Sequence, residues 1–498
     1  MSDLSQVAAL QKSATPQLPA AWYFDPEIYA LEKRLLFDAG ANYAGHELLT
    51  PEAGDFHALS WAGDARALVR DHAGDGGVRL LGNICRHRQA VMLRGRGNAK
   101  HIVCPLHRWT YALDGKLMGA PQFSSNPCLD LKQTSLANWN GLLFEGPRDV
   151  AADLAALGVA RDLDFSGFMF DRVEIEEYAC NWKTFIEVYL EDYHVEPFHP
   201  GLAGFVNVAD LKWEFGAWHN VQTCGVKHGL ARPGSDVYRR WHEHVNRQSE
   251  GKTPAHGAIW LTYFPGLMVE WYPHVLVVSN IIPRGPRACT NVVEFYYPED
   301  IVLFEREFIE AEQAAYRETA IEDREICERM TAGRLALYEQ GVTDAGPYQS
   351  PMEDGMMHFH EYIRRHLEAQ HVADRHLGVG LNEVPACQRR HPEYILFGVV
   401  VARFQLFADQ VAGVVAQVVV VRRVLENGFQ LGTAFFEGIG HVLQEDEAED
   451  DVLVFGGVHV VAQCVRGGPE LRLKTGARAA VCLCPLLGRN HSDSGVAE

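Results

Sequence analysis

Two cysteines and two histidines in the first third of the chain have the spacing of an iron–sulfur site. Cys85-x-His87 is followed, after sixteen intervening residues, by Cys104-x-x-His107. A [2Fe–2S] cluster can take two thiolates on one iron and two imidazoles on the other, and the neutral imidazoles raise its reduction potential. We therefore predict an electron-relay cluster with Cys85 and Cys104 on one iron and His87 and His107 on the other.

A structural zinc site is the alternative for these four residues, because tetrahedral zinc also accepts two cysteines and two histidines. Structural zinc knuckles, however, usually pair Cys with Cys and His with His. Here each short motif supplies one of each. In the [2Fe–2S] cluster each iron draws a ligand from both loops, so the mixed pattern favours the cluster.

A second group of possible metal ligands lies in Asn181–Leu202, which begins as a helix. The predicted helical face contains Glu187, Leu190, Glu191 and His194, at positions i, i+3, i+4 and i+7. His199 can share a metal ion with His194 only if the helix ends between them, and Pro197 and Pro200 are the predicted break. Two imidazoles at a helix end suit an iron held by two histidines and one carboxylate, with positions left open for dioxygen and substrate.

Asp323 is the predicted carboxylate ligand. It lies on an apolar helical stripe with Tyr316, Ala320, Cys327 and Met330. A buried charge on such a stripe is costly unless it is compensated, and a metal ion would compensate it. Its neighbour Glu322 has Glu318, Glu325 and Arg329 around it, so we predict that Glu322 is solvated.

Glu353 is the alternative third ligand. It also has an explanation without a metal, because Ser350, Pro351 and Glu353 form a Ser-x-x-Glu capping box with proline at the first helical position.

The motifs around these residues resemble one known family. CxHR at Cys85 and CPLHRWTYxLDG at Cys104 resemble the Rieske domain of ring-hydroxylating oxygenases, and NWKxxxEVYLEDYHxxxxH at Asn181 resembles their iron-binding segment. Respiratory-chain Rieske proteins carry an additional disulfide cysteine in each loop, where this sequence has Ala90 and Leu106. The resemblance is therefore to the catalytic (alpha) subunit of the oxygenase branch, over roughly residues 20 to 370, and Asp323 matches the family's carboxylate position.

The resemblance also implies how the two metal sites communicate. Subunits of the family form rings, usually trimers, in which the cluster of one subunit lies beside the iron of its neighbour and an acid bridges their histidines. That acid stands three residues before the first iron histidine, here Glu191, although the family more often has Asp. Glu196 is the alternative bridge, because an acid just after that histidine resembles the pattern of the carnitine-oxidising branch. A ligating imidazole usually donates its free N–H to such an oxygen.

The implied reaction is insertion of oxygen from O₂ into a small organic substrate by mono- or dioxygenation. Electrons from NAD(P)H would come through a separate flavin/iron–sulfur reductase, with or without a ferredoxin, because no G-x-G-x-x-G fingerprint follows a predicted strand. Hydroxylation of aromatic compounds, as in aromatic hydrocarbon catabolism, is favoured. The alternatives are oxidation of quaternary amines such as choline, betaine or carnitine, and a Rieske electron carrier without oxygenase activity.

Aromatic residues of the predicted catalytic domain suit either kind of substrate. They are Trp213, Trp218, Trp260, Tyr263, Phe264, Trp271 and Tyr272. They can wall a flat apolar pocket or form a cation–π cage, although most aromatic residues on strands belong to the core.

The elements that position these residues predict an α+β protein. An N-terminal helical segment (1–40) precedes a mostly-β Rieske domain (41–150). A helix-grip, START-like catalytic domain with an antiparallel sheet follows (165–375). The last region (376–498) is either a small β-rich appendage or a tail translated in an altered reading frame.

The composition restricts the partners. The 498-residue chain has a formal net charge of −20, which argues against nucleic acid or an acidic membrane surface. Its eleven cysteines lack the spacing of a disulfide framework, and the most apolar stretch (399–421) contains charged residues. We therefore predict a cytoplasmic protein, with no membrane span.

Overall fold

The computed structural model describes residues 16–72 and 76–376, together with five strands between 397 and 463. The chain divides into two compact units, residues 1–381 and 382–498. Helices and antiparallel sheets are both present, which confirms the predicted α+β class. Among the helices of the described residues, none is long and apolar enough to cross a membrane.

The helices are α1 Ala21–Phe24, α2 Pro26–Glu32, α3 Val150–Asp153, α4 Trp182–Tyr189, α5 Val195–Phe198, α6 Pro200–Phe205, α7 Asp236–Gln248, α8 Glu299–Phe304, α9 Arg306–Glu339 and α10 Asp354–His376. Short π or 3₁₀ turns are Lys33–Asp38, Glu47–Leu49, Ser60–Ala62 and Lys227–Leu230. The strands of the first unit are β1 Asn42–His46, β2 Asp55–Ala58, β3 Arg66–Arg70, β4 Val78–Gly82, β5 Arg96–Asn98, β6 Ile102–Val103, β7 Thr110–Tyr111, β8 Leu117–Gly119, β9 Gln133–Thr134, β10 Ala137–Trp139, β11 Leu142–Glu145, β12 Phe168–Tyr178, β13 Val206–Phe215, β14 His219–Val226, β15 Ala258–Tyr263, β16 Leu267–Tyr272, β17 Val275–Gly285 and β18 Ala288–Pro298. Those of the second unit are β19 Phe397–Phe404, β20 Ala416–Leu425, β21 Gly428–Leu431, β22 Asp450–Phe455 and β23 Val458–Gln463.

The N-terminal β-rich region contains three small sheets, with strand orders β5-β2-β3-β4-β9, β1-β11-β10 and β6-β7-β8. The two loops that carry the Cys–His pairs follow β4 and β6. Their cysteines are buried in one apolar cluster with Trp109, Tyr111 and Leu131. The small sheets therefore present two neighbouring loops from one packed core.

The catalytic region is built on a seven-stranded antiparallel sheet with the order β12-β18-β17-β16-β15-β14-β13. Its inner face, which includes Trp260 and Phe295, packs against α7 and α9. Its outer face, which includes Ile259 and Leu276, packs against Phe144 of the β-rich region. Because both faces are covered, a strand such as β15 is buried at every position.

Helix α4 has a clear start and an early end. The side chain of Asn181 accepts a hydrogen bond from the N–H of Lys183 at 2.9 Å, which caps the helix. The helix ends at Tyr189, so the prediction that one helix continues to His194 and breaks at Pro197 is wrong. Instead, Pro197 lies inside the short helix α5.

The second unit contains a three-stranded sheet (β19-β20-β21) and a two-stranded sheet (β22-β23), both antiparallel. The two interpretations of the C-terminal extension, an appendage or an altered-frame tail, remain predictions. The rest of this region lies outside the described residues.

Candidate metal centres and the adjoining cavity

The two Cys–His loops are matching turns. The N–H of Gln89 donates to the carbonyl oxygen of Cys85 at 3.0 Å, and the N–H of Arg108 donates to that of Cys104 at 3.1 Å. Gln89 and Arg108 have the positive φ angles, 58° and 61°, that close such turns. Although burial opposes it, hydrogen bonds from the backbone of His87 and other groups hold the pKa of Cys85 below its usual value, which favours the thiolate that binds metal.

The two candidate cluster histidines lie side by side. The imidazole rings of His87 and His107 lie 4.7 Å apart, and His87 stacks on Trp109 at 5.0 Å. Tetrahedral zinc would bring all four donors within roughly 4 Å of one another. Within the described part of the chain, the one His/Cys/Asp/Glu group with all ligand atoms within 4.8 Å lies elsewhere. The arrangement therefore suits a pair of irons better than one zinc ion.

That compact group consists of His194, His199 and Asp323. His194 is the residue before α5, and His199 stands between α5 and α6. Asp323 comes from the long helix α9, and its Oδ1 lies 3.6 Å from Nε2 of His194 and 3.0 Å from Nε2 of His199. Nε2 of His199 and Oδ1 of Asp323 are buried without a hydrogen-bond partner of good geometry, as expected of atoms that share a metal ion.

Each imidazole has an acid at its other nitrogen. Nδ1 of His194 lies 2.5 Å from Oε1 of Glu191, and Nδ1 of His199 lies 2.7 Å from Oε2 of Glu322. The prediction that Glu322 is a solvated acid is therefore wrong, because it orients a candidate ligand. This arrangement of imidazoles between a metal and carboxylates is common around catalytic metals.

The electrostatics of this group favour a cation. Burial alone would lower the pKa of His194, but the neighbouring Asp323 and Glu191 raise it to about 10. Burial likewise opposes ionisation of Asp323, yet the two histidines hold its pKa below the usual value. The carboxylates that stabilise positive charge on the imidazoles would equally stabilise a divalent metal ion.

The two alternative acids lie in other contacts. Glu196 is half-exposed and forms an ion pair with Lys227. Glu353 accepts a hydrogen bond from the N–H of Gln349 and is not part of the compact ligand group. The structure thus brings Asp323 and Glu191 to the histidines, and it places Glu196 and Glu353 in structural interactions.

A cavity adjoins the three candidate iron ligands. Of the seven aromatic residues singled out from the sequence, Trp260 and Tyr272 line it. The other five contribute to packing elsewhere: Trp213, Trp218, Tyr263, Phe264 and Trp271. Tyr189, Trp241 and Tyr316 complete an aromatic wall that sequence reasoning did not anticipate.

Three buried acids also line this cavity: Asp192, Glu270 and Glu312. Among the described residues, none of them forms an ion pair with a basic side chain. Burial raises the pKa of Glu270 to about 7, although hydrogen bonds from Tyr272 and Tyr316 oppose the shift. Burial also raises the pKa of Glu312 to about 8. The sequence carried a signal for Glu270, a lone acid inside the apolar strand LMVEWY.

A two-loop cluster site followed by a seven-stranded domain with a two-histidine, one-carboxylate group defines the Rieske non-haem iron oxygenases. Residues 45–136 match the family model of the Rieske [2Fe-2S] domain. Residues 161–369 match that of the ring hydroxylating alpha subunit (catalytic domain). The chain belongs to this family of oxidoreductases, whose members carry a [2Fe–2S] cluster and a mononuclear iron that, when bound, supplies the chemistry of dioxygen activation.

Two relatives are similar over most of their length. Putrescine 2-hydroxylase of Ralstonia nicotianae is 61% identical, over 73% of this chain and 99% of that protein. Putrescine 2-hydroxylase of Bordetella bronchiseptica is 53% identical, over 73% of this chain and 87% of that protein.

Solved structures share the fold. A quaternary ammonium Rieske monooxygenase, described with inter-subunit electron transfer, superposes with a TM-score of 0.57 at 19% identity, over 72% of this chain and 97% of that one. Naphthalene 1,2-dioxygenase from Rhodococcus sp. superposes with a TM-score of 0.56 at 21% identity, over 74% and 99%.

Proposed function

We propose that this oxygenase hydroxylates a carbon atom of a linear aliphatic diamine, and that putrescine is its substrate. The observation that carries the proposal is the set of buried cavity acids, Asp192, Glu270 and Glu312, which have no basic partner among the described residues. A buried carboxylate is costly unless a cation compensates it. A diammonium substrate brings the missing positive charges.

The same acids discriminate between substrate classes. An arene carries no charge, so it would leave the carboxylates uncompensated. A quaternary ammonium has charge but no N–H, so it cannot donate hydrogen bonds to a carboxylate. A primary ammonium provides both, and charge-assisted hydrogen bonds are the stronger kind. The cavity therefore favours a primary amine over the aromatic compounds expected from the sequence and over choline, betaine or carnitine.

Similarity supports this choice. The two relatives with 61% and 53% identity are both putrescine 2-hydroxylases. In our proposal, His194, His199 and Asp323 hold the iron, and Cys85, His87, Cys104 and His107 hold the cluster. Glu191 bridges to the cluster of a neighbouring subunit in a homotrimer, and a separate flavin/iron–sulfur reductase supplies electrons from NAD(P)H.

The cavity residues would bind and orient the substrate. Glu270 accepts hydrogen bonds from the hydroxyl groups of Tyr272 at 2.7 Å and Tyr316 at 3.0 Å, which fix the carboxylate in place. The Nε1–H of Trp260 donates to the hydroxyl oxygen of Tyr272 at 2.9 Å and extends this support. The aromatic rings around it exclude water and can stabilise a cation through their faces.

The test is a turnover assay with a surrogate reductase and NADH, in which products are identified by mass. Putrescine, n-butylamine, choline, carnitine and naphthalene would be compared at equal concentration. We expect putrescine to gain one oxygen atom with the highest kcat/KM. A higher kcat/KM for choline, carnitine or naphthalene would overturn the proposal, and NADH oxidation without any oxygenated product would support an electron carrier instead.

A further inference from the structure

Glu270 and Asp192 occupy different parts of the cavity wall relative to the candidate iron ligands. Asp192 precedes His194 by two residues, so it lies at the iron end. Glu270 contacts the hydroxyl of Tyr316, which stands seven residues before Asp323 on α9, or about 10 Å along the helix. The two acids therefore differ in their distance from the iron site.

Strand register gives an approximate backbone separation between Glu270 and Cys224, the residue that Asp192 contacts. Glu270 on β16 pairs with Trp260 on β15, and Trp260 pairs with Gln222 on β14. Gln222 is therefore two strand spacings, about 10 Å, from Glu270. Cys224 lies two residues further along β14, about 7 Å away and on the same face. Its thiol contacts Oδ2 of Asp192 at 3.7 Å. The backbone positions of Glu270 and Cys224 are thus about 12 Å apart, and the side chains of Glu270 and Asp192 both line the cavity.

A short diamine has a length of the same order as this backbone separation. With C–N and C–C bonds of about 1.5 Å, the nitrogens of extended putrescine lie about 6 Å apart. A hydrogen bond of about 2.8 Å at each end extends the span to roughly 9–12 Å, depending on its angle. Glu312 lies one helical turn further from Asp323 than Tyr316 does, and its carboxylate accepts a hydrogen bond from the hydroxyl of Tyr297.

We propose that Asp192 and Glu270 bind the two ammonium groups of one linear diamine, so that the cavity selects substrates by the distance between their nitrogens. This inference rests on the proposed function, because it assigns the two ends of the same substrate. Asp192 holds the ammonium nearer the iron ligands, and Glu270 holds the far one. The carbon atoms next to the ammonium group held by Asp192 then lie beside the iron ligands, which directs hydroxylation towards one end of the diamine.

Binding to the unreduced holoenzyme tests this assignment without turnover. Calorimetry would compare putrescine with n-butylamine, which has the same carbon chain and one ammonium group. We expect the wild type to bind putrescine more tightly by roughly tenfold to hundredfold, the value of one charged hydrogen bond. In Glu270→Gln and in Asp192→Asn, this ratio should fall towards one.

A variant with a shorter acidic side chain gives a second test, in which the preferred substrate length should change. Glu270→Asp retracts the carboxylate by one methylene group, so the preference should shift from putrescine towards cadaverine. The matched control is Glu294→Gln, which removes a buried acid held by Tyr43 and Tyr296, outside the cavity lining. It should keep the wild-type ratio and length preference. Cluster absorbance and iron content establish that each variant is folded and loaded.

The outcomes separate this inference from the proposed function. An unchanged putrescine-to-butylamine ratio in both Glu270→Gln and Asp192→Asn, with metal contents retained, would overturn the assignment even if putrescine is hydroxylated. A collapsed ratio in the variants would support the assignment even if the wild type fails to hydroxylate putrescine.

Discussion

Glu322 provides the sharpest test of the mononuclear site, because its role comes from the structure alone. Its Oε2 lies 2.7 Å from Nδ1 of His199, so it accepts the N–H that the imidazole does not use for a metal. Glu322→Gln keeps the size of the side chain and removes the negative charge. The amide can still turn its oxygen towards His199, but the hydrogen bond is then weaker and the imidazole is a poorer ligand.

The expected loss is roughly tenfold to hundredfold in iron affinity, or about 1.4–2.7 kcal/mol. Competition with a chelator would measure it, with bound iron quantified after each step. The visible absorbance of the [2Fe–2S] cluster serves as an internal reference, because Glu322 contacts a candidate ligand of the mononuclear iron, His199, and is not a cluster ligand.

Glu325→Gln is the matched control on the same helix. Glu325 is exposed and forms an i,i+4 ion pair with Arg329, a kind of contact that contributes little. This variant should retain wild-type iron affinity. Equal iron affinity in Glu322→Gln and the wild type would refute the reasoning, because the contact would then have no effect on the ligand.

Three other predictions address the remaining parts of the molecule. Asp323→Ala should lose the mononuclear iron and keep the cluster signal, and metal analysis showing full retention of iron would contradict its role as a ligand. Because burial raises the pKa of Glu270 to about 7, its carboxyl is protonated below that pH, whereas an alkylammonium stays charged to about pH 10. The kcat/KM for putrescine should therefore fall below pH 7 by up to about tenfold more per pH unit than in Glu270→Gln, in which Asp192, whose pKa burial also raises to about 7, still titrates; an equally steep fall in both proteins would disprove the link. Ending the chain near residue 381, the boundary of the first unit, should preserve both metal sites and turnover, since 73% of this chain covers 99% of the Ralstonia relative; loss of coloured, soluble protein would show that the extension is needed.

Local motifs made part of the structure predictable. The short run AIWLTY, rich in apolar and aromatic residues, is typical of a buried strand, and the structure has β15 at Ala258–Tyr263. By contrast, the end of α4 depends on contacts that sequence spacing does not reveal. The amide of Gln222 donates to the carbonyl oxygen of Tyr189 at 2.6 Å, and the N–H of Asp192 donates to that of Met352. These distant partners satisfy backbone groups at the helix end and turn the chain towards His194.

Glu322 was missed for a similar reason. On α9 its near neighbours are charged, and this pattern usually marks a solvated helix face. The contact with His199 is tertiary, and no residue within one helical turn of Glu322 indicates it in the sequence. Glu270 differs, because a lone glutamate in a strand that is otherwise apolar is visible in the sequence, and a buried acid needs a compensating partner. A residue of this kind can be recognised from the sequence alone.

Helix α9 links the candidate iron site with the adjoining cavity. Its adjacent residues Glu322 and Asp323 contact opposite nitrogens of the His199 ring, so the position of the helix fixes this imidazole from both sides. Two turns earlier, Tyr316 donates to the Glu270 carboxylate. A helix is stiff along its axis, so a shift that moved Tyr316 with a bound ammonium would also move both acids at His199. The cavity wall and the candidate iron ligands are therefore connected through one helix.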